Sequence, residues 1–208
     1  MQLCFSSYKD WLVPLQQGDV LVKDALLSLK ALGAPQEEIP LVVKLLENPD
    51  YNIPGLTLFH GAVDLHTHDY IHILLGRGLM PKDEAFTIGF TMGSTNQVGR
   101  IEEELFCLIN QFFYPQLYRF GKEEIEIFKD AVQLGRMSMC QALNEVNFSD
   151  FEHSTIHGMR AALGIEEDLL QAYYAIEAKR YPRAVESGRL MSDNPMNSQW
   201  GKPAGLPH

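Results

Sequence analysis

The sequence predicts an all-α fold, a single helical domain of about seven or eight helices. Three observations predict it. Apolar residues recur at spacings of three and four through most of the chain. Strand signals, alternating or β-branched runs between turn residues, are almost absent. Proline or aspartate stands ahead of the periodic stretches, and glycine stands behind several of them. A chain of 208 residues is long enough to bury a sizeable core without disulfides.

Residues 1–15 read as a short mixed arm that docks on the body, with Pro14 blocking a helix. Asp19 opens a helical pattern through Val22, Ala25, Leu26, Leu29 and Leu32, and Gly33 closes it. A second short helix is predicted from about Gln36 to Glu47, with Pro40 tolerated near its first turn. Residues 48–55 are loop by composition. The central helix is predicted from about Leu58 to Leu75, stopped by Gly76-Arg77-Gly78. Pro81-Lys82-Asp83-Glu84 starts the next helix, with proline near N1 and acids in the first turn. After a break at 96–99, Ile101, Leu105, Leu108, Ile109, Phe112 and Phe113 form a stripe that ends near Pro115. Further helices are predicted over Lys122–Leu143, Asp150–Leu163 and Glu166–Arg180, and Pro182 stops the last. The helical domain is therefore expected to span 1–181. Residues 182–208, rich in Gly, Pro, Ser and Asn, are expected to be an extended or disordered tail.

Charge and cysteine usage restrict the function classes. The formal net charge is −10, from 27 acids against 17 bases. That disfavours nucleic acid, whose binding rests on neutralised phosphates, and electrostatic docking on anionic lipid. No apolar run approaches the roughly 20 residues of a membrane-spanning helix, so membrane contact is expected to be peripheral. Cys4, Cys107 and Cys140 are scattered and odd in number. They read as reduced thiols in a cytoplasmic setting, and the first residues carry no signal-peptide pattern.

The chemistry concentrates in one stretch. His68 and His72 are four apart and share a helix face, because a helix turns about 100° per residue. Asp69, three before His72, borders that face. Two imidazoles at i, i+4 are how one helix offers two nitrogens to one metal. Asp64 lies on the same stripe but about 12 Å along the axis from His72, so it reads as a hydrogen-bond partner of His68 rather than a ligand. Gly76–Met80 reads as the link of an αα-hairpin. His72 precedes that link by four residues and Glu84 follows it by four, which places the two side chains at one height. The hairpin thus gathers nitrogen and carboxylate donors. This set suits zinc, and equally iron, manganese or cobalt, since no thiolate selects among them.

The pattern His68-Asp69-x-x-His72, eleven further residues, then Glu84 resembles the signature of the Coq-four family of ubiquinone (coenzyme Q) biosynthesis proteins. A later stretch, Gly135 to Ile165, resembles that family's second block, with Phe151-Glu152, Arg160 and Leu163-Gly164-Ile165. The likeness covers roughly residues 56–166. It implies an α-helical fold and a divalent metal, zinc first, with His68, Asp69, His72 and Glu84 as ligands. It implies a role in acting on or presenting polyprenylated quinone precursors, including replacement of a ring carboxylate by a hydroxyl. Glu84 and Asp69 would then be the catalytic carboxylates. Other quinone-biosynthesis enzymes would be partners, on the inner face of a membrane or in the cytoplasm, with a homo-oligomer an option. Two other classes compete: a non-enzymatic lipid-binding or assembly scaffold with a structural metal, and a metal-dependent hydrolase or oxygenase of a soluble small molecule.

Other features have plainer readings beside the functional ones. Glu152-His153-x-x-x-His157 repeats the i, i+4 pair, though a solvated face near a Ser149-Asp150 cap explains it better. Gly89-x-x-x-Gly93, with Ser94, fits close helix packing better than ligand approach. Phe86, Phe90, Met92, Phe106, Phe112, Phe113, Met137 and Met139 could line a prenyl groove, but such stripes are more often core. Arg77 and Lys82 could meet an anionic head group at the hairpin turn.

Overall fold

The computed structural model describes residues 5, 7–32, 60–61, 63–113 and 119–191. Among them are eight α-helices and, in place of strands, a single antiparallel bridge between Leu21 and Thr155. The helices are α1 Val22–Lys30, α2 Leu65–Leu75, α3 Pro81–Ser94 and α4 Arg100–Phe113. They continue with α5 Lys122–Met137, α6 Ile156–Leu163, α7 Glu167–Arg180 and α8 Val185–Arg189. The all-α prediction is borne out. No described helix is long and apolar enough to cross a membrane. The predicted helix over Gln36–Glu47, the loop at 48–55 and Cys4 lie outside the described residues.

The α2–α3 hairpin sits at the centre. Tyr70, Ile71, Ile73, Leu74 and Leu75 are all buried, so α2 is covered around most of its circumference. The N-terminal arm docks as expected: Trp11, Leu12, Val13 and Leu15 are buried, and Trp11 Nε1 donates to Ser28 Oγ at 3.0 Å. α3 lies tightly against α5. A Cβ on Gly89 or Gly93 would run into the carbonyls of Phe128 and Val132, and one on Gly135 into that of Phe90. The Gly89-x-x-x-Gly93 pattern is therefore a helix-packing device, and Ser94 Oγ accepts from Leu143 N–H at 3.1 Å.

Several boundaries differ from the sequence reading, each for a local reason. α2 starts at Leu65 rather than Leu58. Asp64 adopts extended backbone, and its carboxylate accepts the Thr67 N–H at 2.7 Å, so it caps the helix instead of continuing it. The expected helix over Asp150–Leu163 divides into a 3-10 turn, Phe148–Phe151, and α6, because Thr155 Oγ1 caps the Gly158 N–H. α5 ends at Met137, where Ser138 turns to extended backbone.

The first part of the expected 182–208 tail is folded rather than extended. α8 folds back over the hairpin link, and Ser187, Arg189 and Leu190 are buried. The reason is charge. Arg189 Nη2 donates to Asp83 Oδ2, and Asp83 is wholly buried. Residues 192–208 lie outside the described residues.

Candidate metal centre

α2 ends on Gly76 in the left-handed conformation, φ 66°, and the Arg77 N–H returns to the His72 carbonyl at 3.0 Å. Its other terminal carbonyls are taken by two side chains from the C-terminal half. Arg160 Nε donates to Leu74 O at 2.7 Å, and Tyr174 OH donates to Leu75 O at 2.6 Å. A buried guanidinium at this end also suits the negative pole of the helix. Five residues on, Pro81 restarts the chain, and Asp83 accepts the Met80 N–H at 3.1 Å. Asp83 is in turn held by Arg77 and Arg189. Both arms of the hairpin are therefore fixed before either presents a ligand.

The side chains that converge are His68, His72 and Glu84. One donor atom from each lies within 4.8 Å of the others. The imidazole rings stack, their centroids 4.6 Å apart and their planes 5° from parallel. Their Nε2 atoms are 2.9 Å apart. The Glu84 carboxylate spans them, Oε2 at 3.2 Å from His68 Nε2 and Oε1 at 3.4 Å from His72 Nε2. Metal–ligand bonds of about 2.1 Å give ligand–ligand edges of roughly 3.0–3.4 Å, so one small cation reaches all three donors. Two imidazole nitrogens this close repel unless a proton or a cation lies between them. His72 is 1% exposed and His68 9%, whereas the Glu84 side chain is 31% exposed. The carboxylate is the solvent-side member of the set.

Burial, with the neighbouring His72, pushes the His68 imidazole down to about 4 against the upward pull of Glu84 and Asp64. His72 goes the other way. Burial opposes its charge, but the Glu84 carboxylate, with Asp69 behind it, raises it above the ordinary value. Glu84 is correspondingly held low: burial works against its ionised form, and His72 and His68 outweigh that.

No family model, curated protein or solved structure matches this chain.

The remaining predicted residues separate from the set. Asp69 is beside it and outside it: the three mutually close donors do not include its carboxylate. Its direction on the helix is about 100° from His68. Burial raises Asp69 to about 6, with His72 pulling down and Glu84 pushing up. Asp64 is an exposed cap, and its carboxylate goes to the Thr67 N–H rather than to His68. His153 and His157 share no helix, since His153 precedes the Thr155 cap. Both are exposed, and His157 Nδ1 pairs with Glu167 at 2.9 Å.

The anionic head-group reading of the turn cations is overturned. Arg77 is fully buried, paired with Glu177 at 2.6 Å and sandwiched between the Phe86 and Tyr174 rings. Lys82 is shared by Glu123, Glu124 and Glu186 at 2.8–3.6 Å. The prenyl-groove set also breaks apart. Phe86, Phe90, Met92 and Phe106 are core, while Met137 and Met139 are exposed at 72% and 83%. The side chains of Phe112 and Phe113 lie outside the described residues.

One residue the sequence reading did not single out reaches the centre. Thr87 Oγ1 lies 3.3 Å from His72 Nδ1, and Thr87 is 1% exposed. Its signal was the Glu84-x-x-Thr87 spacing, which puts both side chains on the face turned to α2.

Proposed function

We infer that the chain is a divalent-metal protein of ubiquinone-biosynthesis type, acting on polyprenylated quinone precursors at His68, His72 and Glu84. The observation that carries the metal part is the convergence of two buried imidazoles and one partly exposed carboxylate across the hairpin. The quinone part rests on the resemblance of the His68-Asp69-x-x-His72 and Glu84 pattern. Two histidines and a carboxylate suit zinc, and also iron, manganese and cobalt, with zinc the first choice. Three protein donors leave room in the shell for substrate or water, which favours an enzyme over a scaffold with a closed structural site.

A bound divalent ion would supply positive charge to a substrate carboxylate or oxygen. The chain's own groups do the rest. His68 and His72 are fixed by burial. Glu84, on the solvent side, is the ligand free to adjust. Asp69, buried beside the set on α2 and raised by that burial, is the second carboxylate of this reading. A cytoplasmic location with peripheral membrane contact, association with other quinone-biosynthesis enzymes, and self-association belong to the same reading.

Purified protein offered zinc, iron, manganese and cobalt should retain close to one metal ion per chain. His72→Ala should lose it and His153→Ala should not. Wild-type protein that stays metal-free removes the reading. Replacing a ring carboxylate by a hydroxyl is a two-electron oxidation that releases carbon dioxide. The activity assay therefore supplies a prenylated hydroxybenzoate together with dioxygen, and measures the hydroxylated ring. Turnover unchanged in Glu84→Ala would remove Glu84 from the mechanism.

A further inference from the structure

Thr87 is three residues beyond Glu84 on α3, so one helix brings both a carboxylate and a hydroxyl to the same imidazole. The carboxylate faces His72 Nε2, at 3.4 Å. The hydroxyl faces the opposite nitrogen, Nδ1, at 3.3 Å. Every part of this contact is buried and fixed. Thr87 is 1% exposed, and its own carbonyl accepts the Thr91 hydroxyl at 2.7 Å. Behind it α3 is pressed on α5 through Gly89 and Gly93. His68 has no equivalent hydroxyl among the described residues, so the two imidazoles are held unequally.

An imidazole can give a lone pair to a cation from only one nitrogen, and the partner of the other nitrogen decides which. We propose that Thr87 is the positioning residue of this centre: its Oγ1 accepts the His72 Nδ1–H, so that His72 turns its Nε2 lone pair toward His68 and Glu84. The proposal rests on the metal reading for its purpose, but the hydrogen bond itself exists with or without an ion. Thr87 touches no substrate and acts only through His72.

The test uses full-length protein and three variants: Thr87→Val, which keeps the shape and loses the hydroxyl, Thr87→Ser, which restores it, and His153→Ala as a remote control. The first readout is the metal-free protein labelled with nitrogen-15 at histidine. The His72 Nδ1–H should give a slowly exchanging signal in wild type and Thr87→Ser, and that signal should vanish in Thr87→Val. The second readout is cobalt affinity by chelator competition, with the cobalt visible spectrum. Thr87→Val should bind about 10–100-fold more weakly with an altered spectrum, and Thr87→Ser should bind within a few-fold of wild type. A Thr87→Val protein with the wild-type Nδ1–H signal and wild-type cobalt affinity overturns the proposal. A wild type that shows the protected Nδ1–H yet binds no cobalt supports the Thr87 contact and removes the metal reading, so the two failures are distinguishable.

Discussion

At the scale of single residues, adjacent positions on α2 have different fates because a helix separates neighbours by about 100°. His68 and His72 stack and face Glu84, and Asp69 between them is turned aside. Asp69→Asn should therefore keep about one metal ion per chain by elemental analysis, while Glu84→Ala should bind at least tenfold more weakly. Loss of metal in Asp69→Asn would return Asp69 to the ligand set. The histidines and Glu84 were legible in the sequence because i, i+4 spacing and equal offsets from a turn are geometric facts about helices. Thr87 shares a helix face with Glu84 by its i, i+3 spacing, but a threonine there is unremarkable until its neighbour across the hairpin, His72, is known. Cys107 makes a second residue-level case. Burial raises its thiol to about 11 from an ordinary value near 9. At pH 8 about one chain in a thousand then carries the thiolate, so iodoacetamide should label native Cys107 roughly 100-fold more slowly than the unfolded chain. The folded state holds that proton more tightly than the unfolded one, so stability should fall as pH rises from about 9 to about 11. Cys107→Ala should show a smaller decline than wild type in urea titrations at the two pH values, since buried tyrosines such as Tyr70 and Tyr174 add their own loss in the same range.

At the scale of elements, the hairpin was readable because its punctuation is chemical. Gly76 takes the left-handed turn that ends α2, and Pro81 opens α3 at a position where no N–H is needed. Its near boundary was misread because Asp64 serves as a cap, a role an aspartate inside an apolar run does not announce. The same holds for Thr155, which divided a predicted helix in two. The contact of α3 with α5 gives the sharpest prediction at this scale. Gly93→Ala forces a methyl group onto the Val132 carbonyl and should cost about 1–3 kcal/mol, seen as a lower urea midpoint. Gly99→Ala, where a Cβ meets nothing within 4 Å, should shift stability by less than about 0.5 kcal/mol. Equal effects of the two would mean that α3 and α5 are not packed through their glycines.

At the scale of the whole molecule, a buried set of charges ties Lys9 and residues 177–189 to the hairpin. Arg77 pairs with Glu177, Asp83 with Arg189, Ser187 Oγ donates to Glu177 at 2.8 Å, and Arg189 also donates to Lys9 O. None of this was legible in the sequence, because the paired residues are 100 and 106 positions apart and each looks like an ordinary surface charge where it stands. Removing one member leaves the others buried without their counter-charge. Arg77→Met should therefore cost about 3–5 kcal/mol in urea unfolding, whereas Lys122→Met, at an exposed pair with Glu126, should be near neutral. The placement of Arg189 also sets an order of events during synthesis. The ribosome finishes both histidines and Glu84 long before it reaches the residue that holds Asp83 in place. A nascent chain thus carries all three donors while Asp83 has only Arg77 and the Met80 N–H as partners. The Arg189–Asp83 contact forms only once residues 185–189 have been made, so the hairpin link gains this partner late in folding.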